Sequence, residues 1–226
     1  MRRRTLDPPK PATSQFPRAH FDPKRGWFRR IERASSLFLS HRVWPRVPGS
    51  AVPYAWILER FLTVALAEIP IEGLPASFDG VRVLFLSDVH AGPFLSRDAL
   101  ASVFARLATL EPDVVIHGGD MATSNVSEIL PHGDAVTGLT APLGAFAVFG
   151  NHDHYTGDLS GVSRFFEGCG VRVLNNDAVA LSRNGARLAL AGIDDWNIGR
   201  PDLDLAMARS GDVAPGAPIL LISHTP

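Results

Sequence analysis

The sequence predicts an α/β fold in which a sheet of parallel strands, built from βα units, packs against a second and partly antiparallel sheet. Three observations carry this expectation. Apolar runs rich in β-branched residues at 81–86, 113–117 and 145–149 read as strands buried in a parallel sheet. Each run stops at a polar cluster, and the clusters recur about every thirty residues, the length of a strand–helix repeat. Further on, two β-rich runs joined by Asn184-Gly185 carry the strongest short hairpin signal, so pairing turns antiparallel there.

Composition bounds the rest. With 226 residues, 46% hydrophobic and 20% charged, the chain can fill one core of moderate size and carry an appendage. The net charge of −1 hides an asymmetry, because residues 1–60 hold thirteen Arg and Lys against four Asp and Glu. The remainder is therefore acidic. An acidic body suits cation binding, whereas a basic arm suits a polyanion. The single cysteine, Cys169, excludes an internal disulfide, fits a reducing compartment and reads as a small buried apolar residue.

Residues 1–53 make up the basic arm. Pro8, Pro9, Pro11, Pro17 and Pro23 give its first part a composition that cannot pack a core. Between Trp27 and Trp44, Arg29, Arg30, Arg33 and Arg42 are interleaved with Phe28, Ile31, Leu37, Phe38 and Leu39. That pattern predicts a short amphipathic helix, either lying on an anionic membrane surface or docked on the body with its arginines in solvent. A membrane surface is preferred to nucleic acid as the polyanion. No uninterrupted apolar core follows Arg2-Arg3-Arg4, so no secretory signal is read. The most apolar window, 52–71, is broken by Glu59, Arg60, Glu68 and Pro70, so no spanning helix is read either. The expected location is cytoplasmic, with peripheral attachment to the inner face of the membrane through the arm.

Residues 54–80 form a lead-in. An edge strand is expected over 61–71, where β-branched and apolar residues mix and Pro70 closes the run. Turns at Gly73-Leu74-Pro75 and Phe78-Asp79-Gly80 then feed the body, 81–226. After the first strand, Ala91-Gly92-Pro93 makes a tight loop and Ser96 is a helix N-cap with Asp98 in the first turn. Leu100, Val103, Phe104, Leu107 and Leu110 give the helix over 97–110 its buried stripe, and Pro112 ends it. The segment 124–140 reads as a short helix plus loop. A helix is expected over 159–169, and strands over 171–174, 178–181, 187–193 and 218–223.

The polar clusters lie where ligands bind in an open α/β sheet, outside the carboxyl ends of the strands. Asp88 and His90 alternate and would point the same way. Gly118 and Gly119 would let backbone and ligand approach beside Asp120. Two carboxylates in one crevice repel, and divalent cations relieve that repulsion. In Gly150-Asn151-His152-Asp153, Asn151 offers a carbonyl oxygen, His152 a ring nitrogen, and Asp153 a carboxylate to orient the ring. His224 places another imidazole at a strand end. His117 reads as a structural residue, with orientation of a ligand as its alternative. Asp194, Asp195 and Trp196 end the hairpin and either face the cleft or shape a turn.

In order and spacing, Asp88-x-His90, Gly119-Asp120, Gly150-Asn151-His152-Asp153 and Ser223-His224 resemble the calcineurin-like metallophosphoesterase superfamily. The Leu74-Pro75 lead-in is similar to that of its small bacterial, often membrane-associated members. The resemblance covers residues 61–226 and implies a four-layer α/β/β/α sandwich of two mixed sheets flanked by helices. It implies hydrolysis of a phosphomonoester or phosphodiester by a bridging hydroxide at a two-metal site. Asp88 and His90 would hold one ion, Asp120 would bridge, and Asn151 and His224 would hold the other. His152 would meet the phosphoryl oxygen or protonate the leaving group, oriented by Asp153. Mixed oxygen and nitrogen ligands suit Mn, Fe or Zn better than Ca.

The family closes its metal site with a Gly-His-x-His segment, and none occurs up to Pro226. The expectation is therefore a chain truncated before that segment, with a fold incomplete at its carboxyl end. The competing expectation is a metal-binding or membrane-docking module with impaired catalysis. A phosphoester is the expected substrate, with a preference for lipid-linked ones drawn from the basic arm and with nucleotides left open.

Overall fold

In the computed structural model, residues 60–92 and 95–225 are described, together with scattered positions between 31 and 56. A four-stranded sheet and a three-stranded sheet form the two inner layers. The first comprises β1 (Val83–Leu86), β2 (Val114–His117), β3 (Ala145–Ala147) and β4 (Val171–Val173) in sequential order. All three of its pairings are parallel, with Leu84 opposite Val115 and Ile116 opposite Phe146. The second comprises β5 (Asp177–Arg183), β6 (Ala186–Gly192) and β7 (Ile219–Ile222). β5 and β6 run antiparallel and β7 runs parallel to β6. The second sheet is therefore mixed, while the first, among the described residues, is parallel throughout.

Three apolar clusters separate four layers. Val115, Ala145 and Ala147 face outward and pack with Leu100, Val103, Phe104, Val162 and Phe166 of α1 (Arg97–Ala108) and α4 (Leu159–Gly168). Val114, Ile116, Phe146 and Val148 face inward and meet Leu181, Leu188, Leu190 and Ile222 of the second sheet. Ala178, Ala191 and Ile193 pack with Ala206 of α5 (Leu203–Val213). The order is helix, sheet, sheet, helix. Alternation of side chains along each strand is what lets one sheet serve two cores at once.

Local chemistry explains most element ends. Ser96 caps α1 by accepting a hydrogen bond from the Ala99 N–H at 3.2 Å. Asn184 and Gly185 both take positive φ, 51° and 80°, as a two-residue hairpin turn between right-twisted strands demands. Between β2 and β3, two 3₁₀ turns (Val126–Glu128 and Leu130–His132) precede α2 (Gly133–Gly138), matching the short helix and loop expected there. A five-residue helix, α3 (Asn151–Tyr155), begins directly after β3 and its loop.

Three expectations need correction. No strand forms over 61–71; residues 62–71 have no regular structure, and Leu66 and Ile69 are 94% and 69% exposed. Among the described residues none of them pairs with a strand, so the expected edge strand joins no ladder. β1 is not buried on both faces, since Val83 and Phe85 remain 43% and 53% exposed. It is the outermost strand of its sheet, and the described part of the second sheet covers β2 and β3 instead. The helix α5 was not expected at all, because the residues it buries, Ala206 and Ser210, are small and leave no apolar stripe to read.

Most of the basic arm, and much of the amphipathic helix expected between Trp27 and Trp44, lie outside the described residues. Within that stretch the described positions Ile31, Ala34, Ser35 and Phe38 are helical, the turn Leu39–Val43 follows, and Ile31, Phe38 and Leu39 are exposed. Among the described residues no helix is long and apolar enough to cross a membrane.

His117 is structural, as expected. It is 3% exposed on β2, its ring stands 6.1 Å from that of Phe104 and 5.3 Å from that of Phe166, and neither ring nitrogen has a hydrogen-bond partner among the described residues. Burial pulls its pKa down to about 4. The unfolded chain takes up a proton near pH 6.5 while the folded chain refuses it until about pH 4, so stability falls as pH drops across that window. Urea unfolding from pH 7 to pH 4 should show a loss of about 3 kcal/mol attributable to this group. His117→Leu should remove that part of the slope. An identical pH slope in the variant would contradict the assignment.

Candidate metal centre

The polar loops after β1 and β2 are zipped together by backbone. The Asp88 N–H donates to the Gly119 carbonyl and the His90 N–H to the Asp120 carbonyl, each at 3.0 Å, and the Ala91 N–H donates to Met121 at 2.8 Å. β1 has already ended at Leu86, so Asp88 and His90 are brought together by loop conformation rather than by strand alternation. Asp88, His90 and Asp120 hold φ values of 57°, 45° and 55°. Left-handed backbone at residues other than glycine costs of order 1 kcal/mol or more each, and such strain gathers at functional sites.

Glycines set the approach of the third loop. A Cβ on Gly150 would lie 2.2 Å from Asp120 Oδ1, and one on Gly119 would lie 2.7 Å from both Gly150 N and His224 Nδ1. Only bare backbone lets these three segments meet. The His152 N–H then donates to Asp120 Oδ1 at 2.7 Å.

Around Asp120, itself 2% exposed, the imidazoles converge. His90 Nε2 lies 3.7 Å from Asp88 Oδ1 and 3.7 Å from Asp120 Oδ2, and His224 Nε2 lies 3.5 Å from Asp120 Oδ2. The His90 and His152 rings stand 4.5 Å apart, edge to face. Two trios result, His90–Asp120–His152 and Asp88–Asp120–His224, in each of which the ligand atoms lie within 4.8 Å of one another. Asp120 belongs to both. Ligands each about 2.1 Å from one ion stand roughly 3 to 4 Å from each other, so these spacings suit coordination better than hydrogen bonding.

The donor chemistry fits a cation as well. A carbonyl oxygen only accepts, so the 2.8 Å contact from His224 Nδ1 to Gly118 O and the 2.7 Å contact from His152 Nδ1 to Thr123 O both fix a proton on Nδ1. The His224 ring then turns Nε2 toward Asp120, the arrangement of a ligating imidazole whose other nitrogen is anchored. Without a cation, the neighbouring Asp120 carboxylate pushes the His224 pKa up to about 9. Burial pushes the Asp120 carboxyl up, yet the His224 imidazole and the His152 N–H outweigh it and hold it below the usual carboxylate range. His90 is held below its ordinary value by burial and by His152.

The site residues expected from the sequence fall as follows. Asp88, His90, Asp120, His152 and His224 come together. Asn151 opens α3 beside His152. The resemblance paired Asp88 with His90 and set His152 apart from the ligands; His90 Nε2 lies 3.7 Å from Asp88 Oδ1, Asp88 also groups with Asp120 and His224, and His152 lies within ligand reach of His90 and Asp120. Asp153 does not orient the His152 ring. Fully buried, it accepts the N–H groups of Asp120 at 2.8 Å, Gly150 at 3.0 Å and Ala122 at 3.1 Å, and so ties the second and third loops together. Burial raises its pKa to about 6 against those bonds.

Ring orientation falls instead to Thr123, and Thr123 is held by Glu128. One Glu128 oxygen accepts the N–H groups of Thr123, Ser124 and Asn125 at 3.0, 2.8 and 3.1 Å. Neither residue was singled out from the sequence, although Asn125-Val126-Ser127-Glu128 is a readable capping box.

The fold is an α/β sandwich in which Asp and His side chains converge as candidate metal ligands at the strand ends. The signature of the calcineurin-like phosphoesterase family matches residues 81–226. A zebrafish (Danio rerio) protein named as a transmembrane protein with metallophosphoesterase domain is 34% identical over 167 residues, covering 70% of this chain and 38% of its own length. An uncharacterized metallophosphoesterase of Aquifex aeolicus is 32% identical over 142 residues, covering 63% of this chain and 52% of its own length. One from Bacillus subtilis is 27% identical over 171 residues, covering 73% and 59%. This chain belongs to the calcineurin-like phosphoesterase family. It spans well under two thirds of the length of these relatives. Among solved structures, the Haemophilus influenzae NAD nucleotidase aligns over 52% of this chain and 26% of its own with TM-score 0.38 and 15% identity, a likeness too slight to carry any argument.

Proposed function

We propose that the chain hydrolyses a phosphoester at a site for two divalent cations held by Asp88, His90, Asp120, Asn151 and His224, with His152 facing the substrate. The observation that carries this reading is the membership of Asp120 in both ligand trios, which suits a carboxylate shared by two ions. Bound cations of this kind neutralise charge on a phosphoryl group and acidify water for attack. The protein's own part is positioning. Asp120 and His224 hold one corner of the site, His90 another, and Thr123 aims the His152 ring. As water attacks phosphorus and gives up a proton to solvent, the P–O bond to the leaving group breaks, and the leaving oxygen takes a proton from Nε2 of a doubly protonated His152, whose Nδ1–H stays on the Thr123 carbonyl; solvent then returns a proton to the ring. Family membership supports the reaction class; the mixed ligand set favours Mn, Fe or Zn.

Hydrolysis of bis(p-nitrophenyl) phosphate with Mn²⁺ tests the reading. Asp120→Asn should abolish both metal binding and turnover. His152→Gln should keep the metal and slow turnover by about 10²- to 10⁴-fold, the range for a lost general acid. Activity untouched by Asp120→Asn would contradict the proposal, and loss of metal with His152→Gln would make that residue a ligand instead.

We extend the proposal to location: the basic arm, with thirteen cationic side chains in residues 1–60, holds the domain at an anionic membrane surface, and the phosphoester is lipid-linked. Relatives from Danio rerio and Bos taurus carry names that include a transmembrane protein. Flotation with phosphatidylserine vesicles should recover the full chain and lose one lacking residues 1–50. Equal recovery of both would contradict membrane attachment.

A further inference from the structure

We propose that Asp194 and Asp195, adjacent at the end of β6, are positioning residues for the metal centre, one holding the helix of Asn151 and His152 and the other holding the segment of His224. This deepens the reading above and rests on its ligand set. The second sheet would thereby fix the geometry of a site whose other loops come from the first.

The two carboxylates are 5% and 0% exposed. A turn alone would not ask for two buried charges side by side; amide or hydroxyl oxygens accept backbone N–H groups at smaller cost. Each Asp here divides its oxygens between the turn and a partner outside it. Asp194 Oδ2 accepts the Arg200 N–H at 2.7 Å, while Oδ1, besides taking the Asp195 N–H at 2.9 Å, lies 2.7 Å from His154 Nε2. His154 sits on α3, two residues beyond His152. Asp195 Oδ2 accepts the Asn197 and Ile198 N–H groups at 2.9 and 2.8 Å, while Oδ1 accepts the Thr225 hydroxyl at 2.8 Å. Thr225 directly follows His224.

The loop that carries this pair is itself braced. Asn176 accepts the N–H groups of Asp194 at 3.1 Å and Asp202 at 2.9 Å, and its amide donates to the Arg200 carbonyl at 2.8 Å. A Cβ on Gly199 would stand 2.5 Å from the Asp194 carboxylate, so the loop closes on that group only with glycine there. Asn197 adds a hydrogen bond to the Thr225 hydroxyl at 3.2 Å. Thr225 therefore bridges Asp195 and Asn197, and the imidazole before it is left with its Nδ1 on Gly118 and its Nε2 on Asp120. Remove the Thr225 hydroxyl and His224 keeps its ring contacts but loses the anchor of its backbone.

Long-range ¹⁵N–¹H spectra of the imidazoles in the metal-free full chain, at one fixed pH, give a readout independent of turnover, and a Co²⁺ titration of the same protein gives a second. Thr225→Val should move the His224 signals, leave those of His90 in place, and weaken Co²⁺ binding about tenfold, at the low end for losing a partner behind a ligand. Thr225→Ala should do the same and Thr225→Ser should restore both readouts. Asp194→Asn should move His152 rather than His224. A folded Thr225→Val chain with wild-type His224 signals and Co²⁺ affinity, or a Thr225→Ser chain as impaired as Thr225→Val, would overturn the proposal. If the wild-type chain bound no Co²⁺, the ligand set would fail, yet the metal-free imidazole signals would still decide whether Asp194 and Asp195 position these rings.

Discussion

A carboxylate with 2% exposure, at the meeting point of loops from β1, β2, β3 and β7, is the constraint on which the site depends. Placing an ionised Asp120 there costs several kcal/mol unless opposite charge and hydrogen bonds compensate. The His152 N–H on Oδ1 and the His224 imidazole beside Oδ2 supply part of that compensation, and His90 stands 3.7 Å from Oδ2. The parallel sheet brings its strand ends to one edge, but the sheet alone would leave these groups apart. Left-handed backbone at Asp88, His90 and Asp120, and bare backbone at Gly119 and Gly150, close the remaining distance.

Around this centre the buried polar groups serve as fasteners between loops. Asp153 stitches the Asp120 loop to the Gly150 loop through three N–H groups, and Glu128 holds the stretch from which Thr123 aims His152. Asp194 and Asp195 do the corresponding work from the second sheet. The pattern gives a physical reason for so many carboxylates in the body: some face the ligand space, and others are spent on backbone N–H groups that no ladder or helix satisfies.

Much of this was legible in the sequence because it follows from periodicity and turn chemistry. The apolar runs before Asp120 and Gly150 gave strands buried on both faces, Ser96 gave a helix start, and Asn184-Gly185 gave the hairpin. Asp88, His90, Asp120 and His224 could be named as neighbours because each follows the carboxyl end of an apolar run that reads as a strand. What stayed hidden depended on tertiary context. Nothing in 61–71 signals that its strand pattern has no ladder to join, and Ala206 and Ser210 are too small to advertise a buried helix face. The orienting role of Thr123 uses a backbone carbonyl, which any residue could provide, so no side chain marks it. Asp153 reads as a partner for the adjacent His152 in sequence, yet three N–H groups nearer in space claim its oxygens.

The central claim is that Asp120 is shared between two cations. Electron paramagnetic resonance of the chain titrated with Mn²⁺ addresses it directly, since two ions joined through one carboxylate couple magnetically. A bridging Asp120 predicts a spin-coupled pair that Asp120→Asn eliminates. A wild-type spectrum of isolated Mn²⁺ at every loading would contradict it.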